Sequence, residues 1–174
     1  NDGVDVVIGY IETHKRVETQ ALLSANVEQV PLKEFVHHNH KLYEVDVDAI
    51  LNRNPQLVIL DELAHSNVAG SRNLKRYQDV LELLAAGIDV YTALNIQHIE
   101  SLNDVVSQIT GIKVNETVPD SIIENATEIK LIDVTPDELI ERLRDGKIYS
   151  PDRAAKALEN FFRKGNLTAL REMS

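Results

Sequence analysis

Short aliphatic runs alternate along this chain with longer amphipathic segments. The runs predict β-strands at Asp5–Ile11, Pro31–Val36, Leu57–Asp61, Ile88–Leu94 and Glu128–Val134. The amphipathic segments predict helices at Arg16–Ser24, Asp46–Asn52, Leu74–Ala86 and Ile96–Thr110. Such alternation is typical of an α/β domain with three layers, in which helices flank a parallel sheet.

Helix boundaries are marked by glycine, proline and capping residues. Gly87 and Gly111 lie where helix C-caps are expected. The sequence Thr135-Pro136-Asp137-Glu138 is a capping box with proline in the first turn, which predicts a helix that ends at Gly146. A last amphipathic helix is predicted over Pro151–Lys164.

Length and charge restrict the classes of function. A chain of 174 residues is long enough for one α/β domain. Its 18 basic and 28 acidic residues give a net charge of −10, which argues against broad binding to nucleic acid or anionic membranes. The absence of cysteine excludes disulfides and thiolate metal sites, and fits a cytoplasmic location. No apolar run approaches the length of a membrane span, so we expect no direct membrane insertion by this chain.

Polar residues follow three of the predicted strands. Glu12 and His14 follow the first strand, Asp61 and Glu62 end the third, and Asn95 follows the fourth. In open α/β sheets, ligands bind at the carboxyl ends of the parallel strands. These positions therefore predict a ligand site at that edge, although polar loops and helix-capping histidines would give a similar pattern.

The pair Asp61-Glu62 follows four aliphatic residues, as in the Walker B element of P-loop ATPases. In that interpretation Asp61 binds Mg²⁺ through a coordinated water, and Glu62 is a candidate base that polarises an attacking water. The alternative is that the two carboxylates merely cap the following helix. The sequence G-x-x-x-x-G-K-[ST] occurs nowhere in the chain, so only half of such a site is present.

Two further positions are candidates for contact with phosphate. The connection Leu63–Asn73 is long for a strand-to-helix loop and contains Arg72, with Lys75 and Arg76 just beyond it. These side chains could reach phosphate oxygens, or they could simply form a solvated basic loop. Asn95 is a candidate sensor of a γ-phosphate, although asparagine is also a favoured helix N-cap.

Direct metal sites have weaker support. Glu62-x-x-His65 has the spacing of di-iron carboxylate sites, but such sites need a helical bundle and a second copy of the motif. The sequence His37-His38-x-His40 could bind zinc or nickel. An exposed polar turn after an edge strand is the better interpretation of these histidines.

Longer strings in the sequence carry a family resemblance. They are GYIETHKR, LDELAHSNVAGSRNLKRYQDV, AGIDVYTALNIQHIESLNDVVSQITG, VNETVPD and FFRKGNLTALRE. These strings, which span nearly the whole chain, resemble the N-terminal cytoplasmic domain of the KdpD family. Its members are osmosensitive potassium-channel sensor histidine kinases.

The resemblance implies a regulatory domain that binds ATP and Mg²⁺. In that family the phosphate loop lies in the first strand–loop–helix unit, which this chain lacks. KdpD-type sensors respond to potassium limitation or osmotic stress and relay phosphate to a response regulator that switches on a high-affinity potassium-uptake ATPase. The implied partners are the sensor's other domains and, indirectly, the response regulator. The kinase core and the phospho-accepting histidine are not in this sequence, so we assign it no kinase activity.

From the resemblance we expect a P-loop NTPase-like fold without its first unit, as a single domain over residues 1–174 of a longer protein. Loss of that unit should leave two central strands unpaired, at about 1–3 kcal/mol for each buried unmet group, unless the remaining strands pair with each other. Nucleotide binding by this chain alone should be weak or absent. The alternatives are a non-catalytic interaction module of the same sensor and a small stand-alone ATPase.

Overall fold

A four-stranded parallel sheet lies at the centre of the N-terminal half of the computed structural model, which describes residues 3–14, 16–23, 27–37, 40–145, 148, 157–158 and 161–173. The strands are β1 (Val6–Tyr10), β2 (Glu28–Gln29), β3 (Lys33–His37), β4 (His40–Glu44), β5 (Leu57–Leu60) and β6 (Asp89–Thr92). The sheet has the order β2-β1-β5-β6, with every neighbouring pair parallel. The other two strands, β3 and β4, form an antiparallel hairpin.

The described helices surround or follow these strands. They are α1 (Val17–Leu23), α2 (Val47–Arg53), α3 (Arg76–Ala85), α4 (Asn103–Thr110), α5 (Asp120–Glu124), α6 (Pro136–Arg144) and α7 (Lys164–Glu172). Two short 3₁₀ turns, Ile96–His98 and Glu100–Leu102, precede α4. Asp46 caps α2 by accepting a hydrogen bond from the Ala49 N–H at 3.0 Å.

The chain divides into two compact units. The first contains residues 1–13 and 17–94, and the second contains residues 14–16 and 95–174. In the first unit the two central strands and the flanking helices supply fully buried aliphatic side chains: Val7, Ile50, Val58, Leu60 and Leu83. Burial of the central strands beneath helices explains why they read as continuous aliphatic runs.

Gly9 allows β1 to lie close against its neighbours. A Cβ atom added at Gly9 would lie 2.7 Å from Leu60 Cδ2 and 3.0 Å from Ile50 Cδ1. The register between β1 and β5 also shifts between Ile8 and Tyr10. A residue without a side chain therefore suits this part of the strand.

In the second unit, α7 packs against α4 and α6. Among the described residues of this unit, the buried aliphatic side chains are Val106, Val118, Leu143, Leu167 and Leu170. Thr135 caps α6 as the sequence predicts, because its Oγ1 accepts a hydrogen bond from the Glu138 N–H at 3.3 Å. No helix in the part of the chain that the structure describes is long and apolar enough to cross a membrane.

The structure confirms an α/β fold with a parallel sheet flanked by helices. One predicted strand does not belong to that sheet. The run Pro31–Val36 forms β3 of the hairpin instead of joining the parallel sheet. Its partner β4 was not predicted, because His40–Glu44 is polar and exposed along most of its length. Hairpin strands and parallel strands share the same two-residue period, so the pattern did not distinguish them.

Two further predictions need correction, and one falls mostly outside the described residues. The predicted strand Glu128–Val134 pairs with no other described segment. The predicted helix Ile96–Thr110 is helical as α4 only from Asn103, after the two 3₁₀ turns. The predicted helix Pro151–Lys164 and the predicted stop at Gly146 lie largely outside the described residues, whereas α7 was not predicted.

Of the two outcomes expected for the central strands, the structure shows the one in which the remaining strands pair with each other. Strand β5 pairs with β1 on one side and with β6 on the other, over Leu57–Leu60. The four parallel strands therefore form one continuous sheet within a single chain. Among the described residues, only β2 and β6 are at its edges.

Candidate functional site

The Asp61 carboxylate joins the ends of the two central strands. Its Oδ1 accepts a hydrogen bond from the Glu62 N–H at 2.8 Å, and its Oδ2 accepts one from the Glu12 N–H at 3.2 Å. The Asp61 N–H in turn donates to the carbonyl of Tyr10 at 2.9 Å. Since both carboxylate oxygens are held by backbone groups, the side chain has a fixed direction at the carboxyl edge of the sheet.

Glu62 adopts a backbone conformation that favours glycine. Its φ is +58°, in the left-handed region, which costs an L-residue about 1–2 kcal/mol. The chain turns sharply here, and the His65 N–H donates to the Glu62 carbonyl at 2.9 Å. Strained residues of this kind cluster at functional sites, so a glutamate where glycine would fit better supports a role for the side chain.

Glu12 and Tyr10 support the same edge. The Tyr10 hydroxyl donates to Glu12 Oε2 at 2.8 Å. Burial and this hydrogen bond to a carboxylate both raise the pKa of Tyr10, so the phenol stays protonated. Glu12 thus contacts Asp61 through its backbone and Tyr10 through its side chain.

A buried ion pair lies behind the strand ends. The guanidinium of Arg76 donates to Glu44 Oε2 at 3.0 Å and to the Asp61 carbonyl at 3.1 Å. The same guanidinium lies 4.3 Å from the centre of the Tyr10 ring. Arg76 and Glu44 are 1% and 3% exposed. Arg76 is therefore buried beneath the strand ends, which corrects both interpretations that the sequence left open for it, a phosphate contact and a solvated loop cation.

Glu44 has several partners besides Arg76. His65 Nε2 lies 2.8 Å from Glu44 Oε1, and the Val68 N–H donates to the same oxygen at 3.0 Å. Burial alone would raise the pKa of Glu44, but the hydrogen bonds from His65 and Val68 and the charge of Arg76 lower it overall. Glu44 is thus a buried carboxylate that stays ionised and connects β4 to the loop after β5.

A second buried acid, Asp79, orders the far end of that loop. The side-chain amides of Asn67 and Asn73 donate to its two oxygens at 2.7 and 2.9 Å. Burial raises the pKa of Asp79, and these two amides partly offset the effect. The long connection between β5 and α3 is consequently a defined structure.

The basic residues of the loop are engaged in contacts with the protein itself. Arg72 donates to Glu82 at 3.0 Å and to Asp48 at 2.5 Å, and the Glu82 carboxylate raises its pKa. Lys75 Nζ donates to Ser66 Oγ at 2.6 Å. Contact between Arg72 and phosphate stays a prediction, and such contact would require Arg72 to exchange carboxylate partners for phosphate oxygens.

The remaining candidates, His14 and Asn95, belong to the second unit. His14 has a φ of +47°. Asn95 precedes the first 3₁₀ turn, and its carbonyl accepts a hydrogen bond from the His98 N–H at 3.0 Å. Its side chain makes no capping hydrogen bond, so the alternative role as a side-chain N-cap does not apply. The phosphate-sensing role of Asn95 stays a prediction.

The arrangement in the first unit therefore suits indirect binding of a cation. The described residues contain no group of three or more histidine, aspartate or glutamate side chains that could hold a metal ion directly. A fixed carboxylate such as Asp61 can instead orient water molecules of a hydrated Mg²⁺, which keeps several of its waters. His38, from the histidine motif, lies outside the described residues.

The sequence suggested Asp61, Glu62 and Glu12 as site residues, which stays a prediction, and it gave no sign of the buried contacts of Glu44, Asp79 and Arg76. Glu44 ends a polar strand, and Asp79 lies inside an amphipathic helix, so both resemble solvated charges. One available signal was the spacing from Arg76 to Asp79, which places both on one face of α3.

The comparisons with known proteins all identify the same family. The family model KdpD, described as "Osmosensitive K+ channel His kinase sensor domain", matches residues 1–174. The chain is 52% identical over 172 residues to "Sensor protein KdpD" of Escherichia coli (strain K12), which covers 99% of this chain and 19% of that protein. It is 53% identical over 173 residues to "Putative sensor protein KdpD" of Synechocystis sp., which covers 99% of this chain and 46% of that protein. The chain thus spans less than half the length of these relatives.

Proposed function

Because the chain belongs to the KdpD family of osmosensitive K⁺ channel His kinase sensor domains, we propose that its strand-edge site contributes to regulatory ATP and Mg²⁺ binding in a two-component sensor kinase. We define the strand-edge site as Glu12, Asp61 and Glu62. A P-loop NTPase-like site would be completed by a phosphate-loop unit outside residues 1–174.

The observation that carries the proposal is the anchoring of Asp61. Backbone N–H groups of Glu12 and Glu62, just beyond the ends of the two central strands, donate to its two oxygens. A carboxylate oriented in this way costs little further entropy when it binds a coordinated water. The sequence of four aliphatic residues followed by this aspartate and a glutamate adds the pattern of a Walker B element.

Each residue has a separate part in the proposed site. Asp61 would hold a hydrated Mg²⁺ through one of its waters, and Glu62 would accept a hydrogen bond from a second water near the terminal phosphate. Bound Mg²⁺ would neutralise part of the negative charge on the phosphates. Arg72 and Asn95 are the candidates for contact with phosphate oxygens from this chain.

The proposed output lies outside the chain. Nucleotide binding would change the contacts of this domain with the other domains of the sensor, and so alter the phosphate relay to the response regulator. The family name links that relay to potassium and osmotic conditions. A cytoplasmic location is part of the proposal, since ATP and the response regulator are found there.

A second candidate function is a non-catalytic interaction module of the same sensor. Its support is the β3–β4 hairpin, on which Val36 and Tyr43 are 69% and 51% exposed. Exposed aliphatic and aromatic side chains on a hairpin suit contact with another protein domain.

Asp61→Asn in the intact sensor distinguishes the two functions. The substitution keeps the size of the side chain but removes the charge and one acceptor, so we expect ATP-dependent control of kinase output to fall at least about tenfold. Asp89→Asn is the matched control, because Asp89 is exposed at the start of the neighbouring strand. Circular dichroism must show that both variants fold. An unchanged ATP response in folded Asp61→Asn would exclude Asp61 from the mechanism and favour the interaction module.

A further inference from the structure

A small cavity lies in the first unit among the β3–β4 hairpin, the start of α2, the loop between β5 and α3, and α3 itself. Its volume is about 20 Å³, which is room for one water-sized sphere. Its walls include the carboxylates of Glu44 and Asp79, which are 3% and 2% exposed. Asn67 and Ser71 of the loop also line it. We call the space lined by these four residues the loop cavity.

Two buried oxygen atoms of the loop have no hydrogen-bond partner among the described residues. They are Asn67 Oδ1 and Ser71 Oγ. The orientation of the Asn67 amide is fixed, because its Nδ2 donates to the Asn73 carbonyl at 3.1 Å and to Asp79 Oδ2 at 2.7 Å. Since buried polar atoms in folded proteins are almost always paired, two such oxygens on residues that line one cavity indicate that it holds a bound species.

The charge of Asp79 favours a cation over a water molecule as that species. Two neutral amides, of Asn67 and Asn73, donate to its oxygens, and it forms no ion pair with a cationic side chain in the described part of the chain. Burial raises the pKa of Asp79, and the nearby charges of Arg76 and Glu44 act on it in opposite directions. A water molecule would pair with the free oxygens but leave this charge unbalanced. Buried charges are normally paired or bound to a metal ion.

The other carboxylates that line the loop cavity are already engaged. Glu44 pairs with Arg76 at 3.0 Å. Asp48 pairs with Arg72 at the exposed rim. Asp46 caps the N-terminus of α2. One carboxylate is therefore left without compensation, and its single charge matches that of a monovalent ion.

We propose that the loop cavity binds a dehydrated monovalent alkali cation through Asn67 Oδ1, Ser71 Oγ and the Asp79 carboxylate. Neutral oxygens and carboxylates can replace the hydration shell of such an ion, and each Asp79 oxygen keeps a lone pair for it. A hydrated Mg²⁺ does not fit, because it keeps several waters and the space holds one water-sized sphere. K⁺ is the suitable probe, since its radius is close to that of a water molecule. The site needs neither ATP nor Mg²⁺, so it is independent of the proposed function.

Thermal unfolding of the 174-residue chain, without nucleotide or Mg²⁺, tests the proposal. The melting temperature is measured at neutral pH in about 0.15 M KCl and in choline chloride of the same concentration, so that charges are screened equally. Choline is too large for the cavity. We expect the melting temperature to be at least about 3 °C higher in KCl, because an ion that binds only the folded chain stabilises it. Equal melting temperatures would overturn the proposal and leave a water molecule, or a proton on Asp79, in its place.

Ser71→Ala separates binding in the loop cavity from a general effect of salt. The variant loses an oxygen that has no partner among the described residues, so it should fold, and its difference between the two salts should be below about 1 °C. Asp79→Asn keeps the size of the side chain, removes the charge and should abolish the difference. Ser121→Ala is the matched control and should keep the full difference, because Ser121 is exposed on α5. A difference that persists in folded Ser71→Ala would show that K⁺ acts elsewhere and would overturn the proposal.

X-ray diffraction from crystals grown with RbCl gives a direct readout, because Rb⁺ replaces K⁺ and scatters anomalously. We expect an anomalous peak in the loop cavity, in contact with Asn67 Oδ1 and Ser71 Oγ. A water molecule there without an anomalous signal, or Rb⁺ at the protein surface only, would overturn the proposal.

Discussion

At the scale of single residues, Asp61 and Glu62 are neighbours with different physical situations. Asp61 is held by backbone donors through both of its oxygens. Glu62 lies in the left-handed region at φ +58°, where its own backbone is strained. Asp61 therefore fixes the backbone at the ends of the two central strands. Glu62 instead lowers the stability of the fold through its strained backbone.

Glu62→Gly should separate stability from function. Glycine removes the steric penalty at this φ but has more freedom in the unfolded chain, so we expect the free energy of unfolding to rise by about 0.5–1 kcal/mol. Urea denaturation measures this change. In the intact sensor the same substitution should abolish the ATP response, because the carboxylate is lost.

Asn54→Gly is the control for Glu62→Gly, since Asn54 also has a positive φ, of +52°. Asparagine tolerates the left-handed region better than glutamate, so its substitution should stabilise less. A loss of more than about 1 kcal/mol in Glu62→Gly would exceed the entropic effect of glycine and show that the side chain holds the fold.

The sequence suggested Asp61 and Glu62 as site residues because a buried strand followed by two acids is a local pattern, and their role stays a prediction. It did not reveal that Arg76 is buried against Glu44. These two residues are far apart along the chain and meet only through the packing of β4 and α3. Local patterns do not encode such contacts, so Arg76 resembled a solvated loop residue.

At the scale of elements, Glu44 is the point where the hairpin, the long loop and α3 meet. Glu44 lies at the end of the hairpin, and its partners come from the other two: Arg76 at the start of α3, and His65 and Val68 in the loop. The loop is therefore ordered by a carboxylate on a strand that the sequence did not predict. The period of two in β3 and β4 fits any strand, so the antiparallel pairing could not be predicted from it.

Glu44→Gln should destabilise the chain by about 3 kcal/mol at neutral pH, because it removes the ion-pair partner of the buried Arg76. Chemical denaturation measures the difference from wild type. Glu34→Gln on β3 is the control, since the exposed contacts of Glu34 with Lys41 and Tyr43 should contribute about 0–1 kcal/mol. A cost below 1 kcal/mol for Glu44→Gln would show that the buried pair is not important for stability.

The difference in stability between wild type and Glu44→Gln should depend on pH. The pKa of Glu44 is lower in the folded chain than the value of 4.5 expected when it is unfolded. Its contribution is therefore complete above that value and is lost as the pH falls through the folded-state pKa. The stability difference between wild type and Glu44→Gln should shrink below about pH 4.5. Asp79 has the opposite sign, because burial raises its pKa, and the charge of Glu44 adds to that rise, so Glu44→Gln should also lessen the contribution of Asp79.

At the scale of the whole molecule, the chain contains a continuous four-stranded parallel sheet and half of a proposed nucleotide site. The first unit pairs its four parallel strands without any further strand. In the second unit, Ile129, Leu131 and Ile132 are exposed in the connection between α5 and α6. The class of fold followed from hydrophobic periodicity. The pairing of the strands could not be predicted in this way. Whether the central strands pair with each other depends on contacts among segments that are distant along the chain.

The central claim is that the strand-edge site belongs to an ATP site completed by an upstream phosphate loop. Calorimetry of ATP·Mg²⁺ with residues 1–174 and with the chain extended upstream by about forty residues tests this claim most directly. We predict weak or no binding by the shorter chain and clear binding by the longer one, reduced by Asp61→Asn. Micromolar binding by the shorter chain, or no binding by either, would contradict the claim.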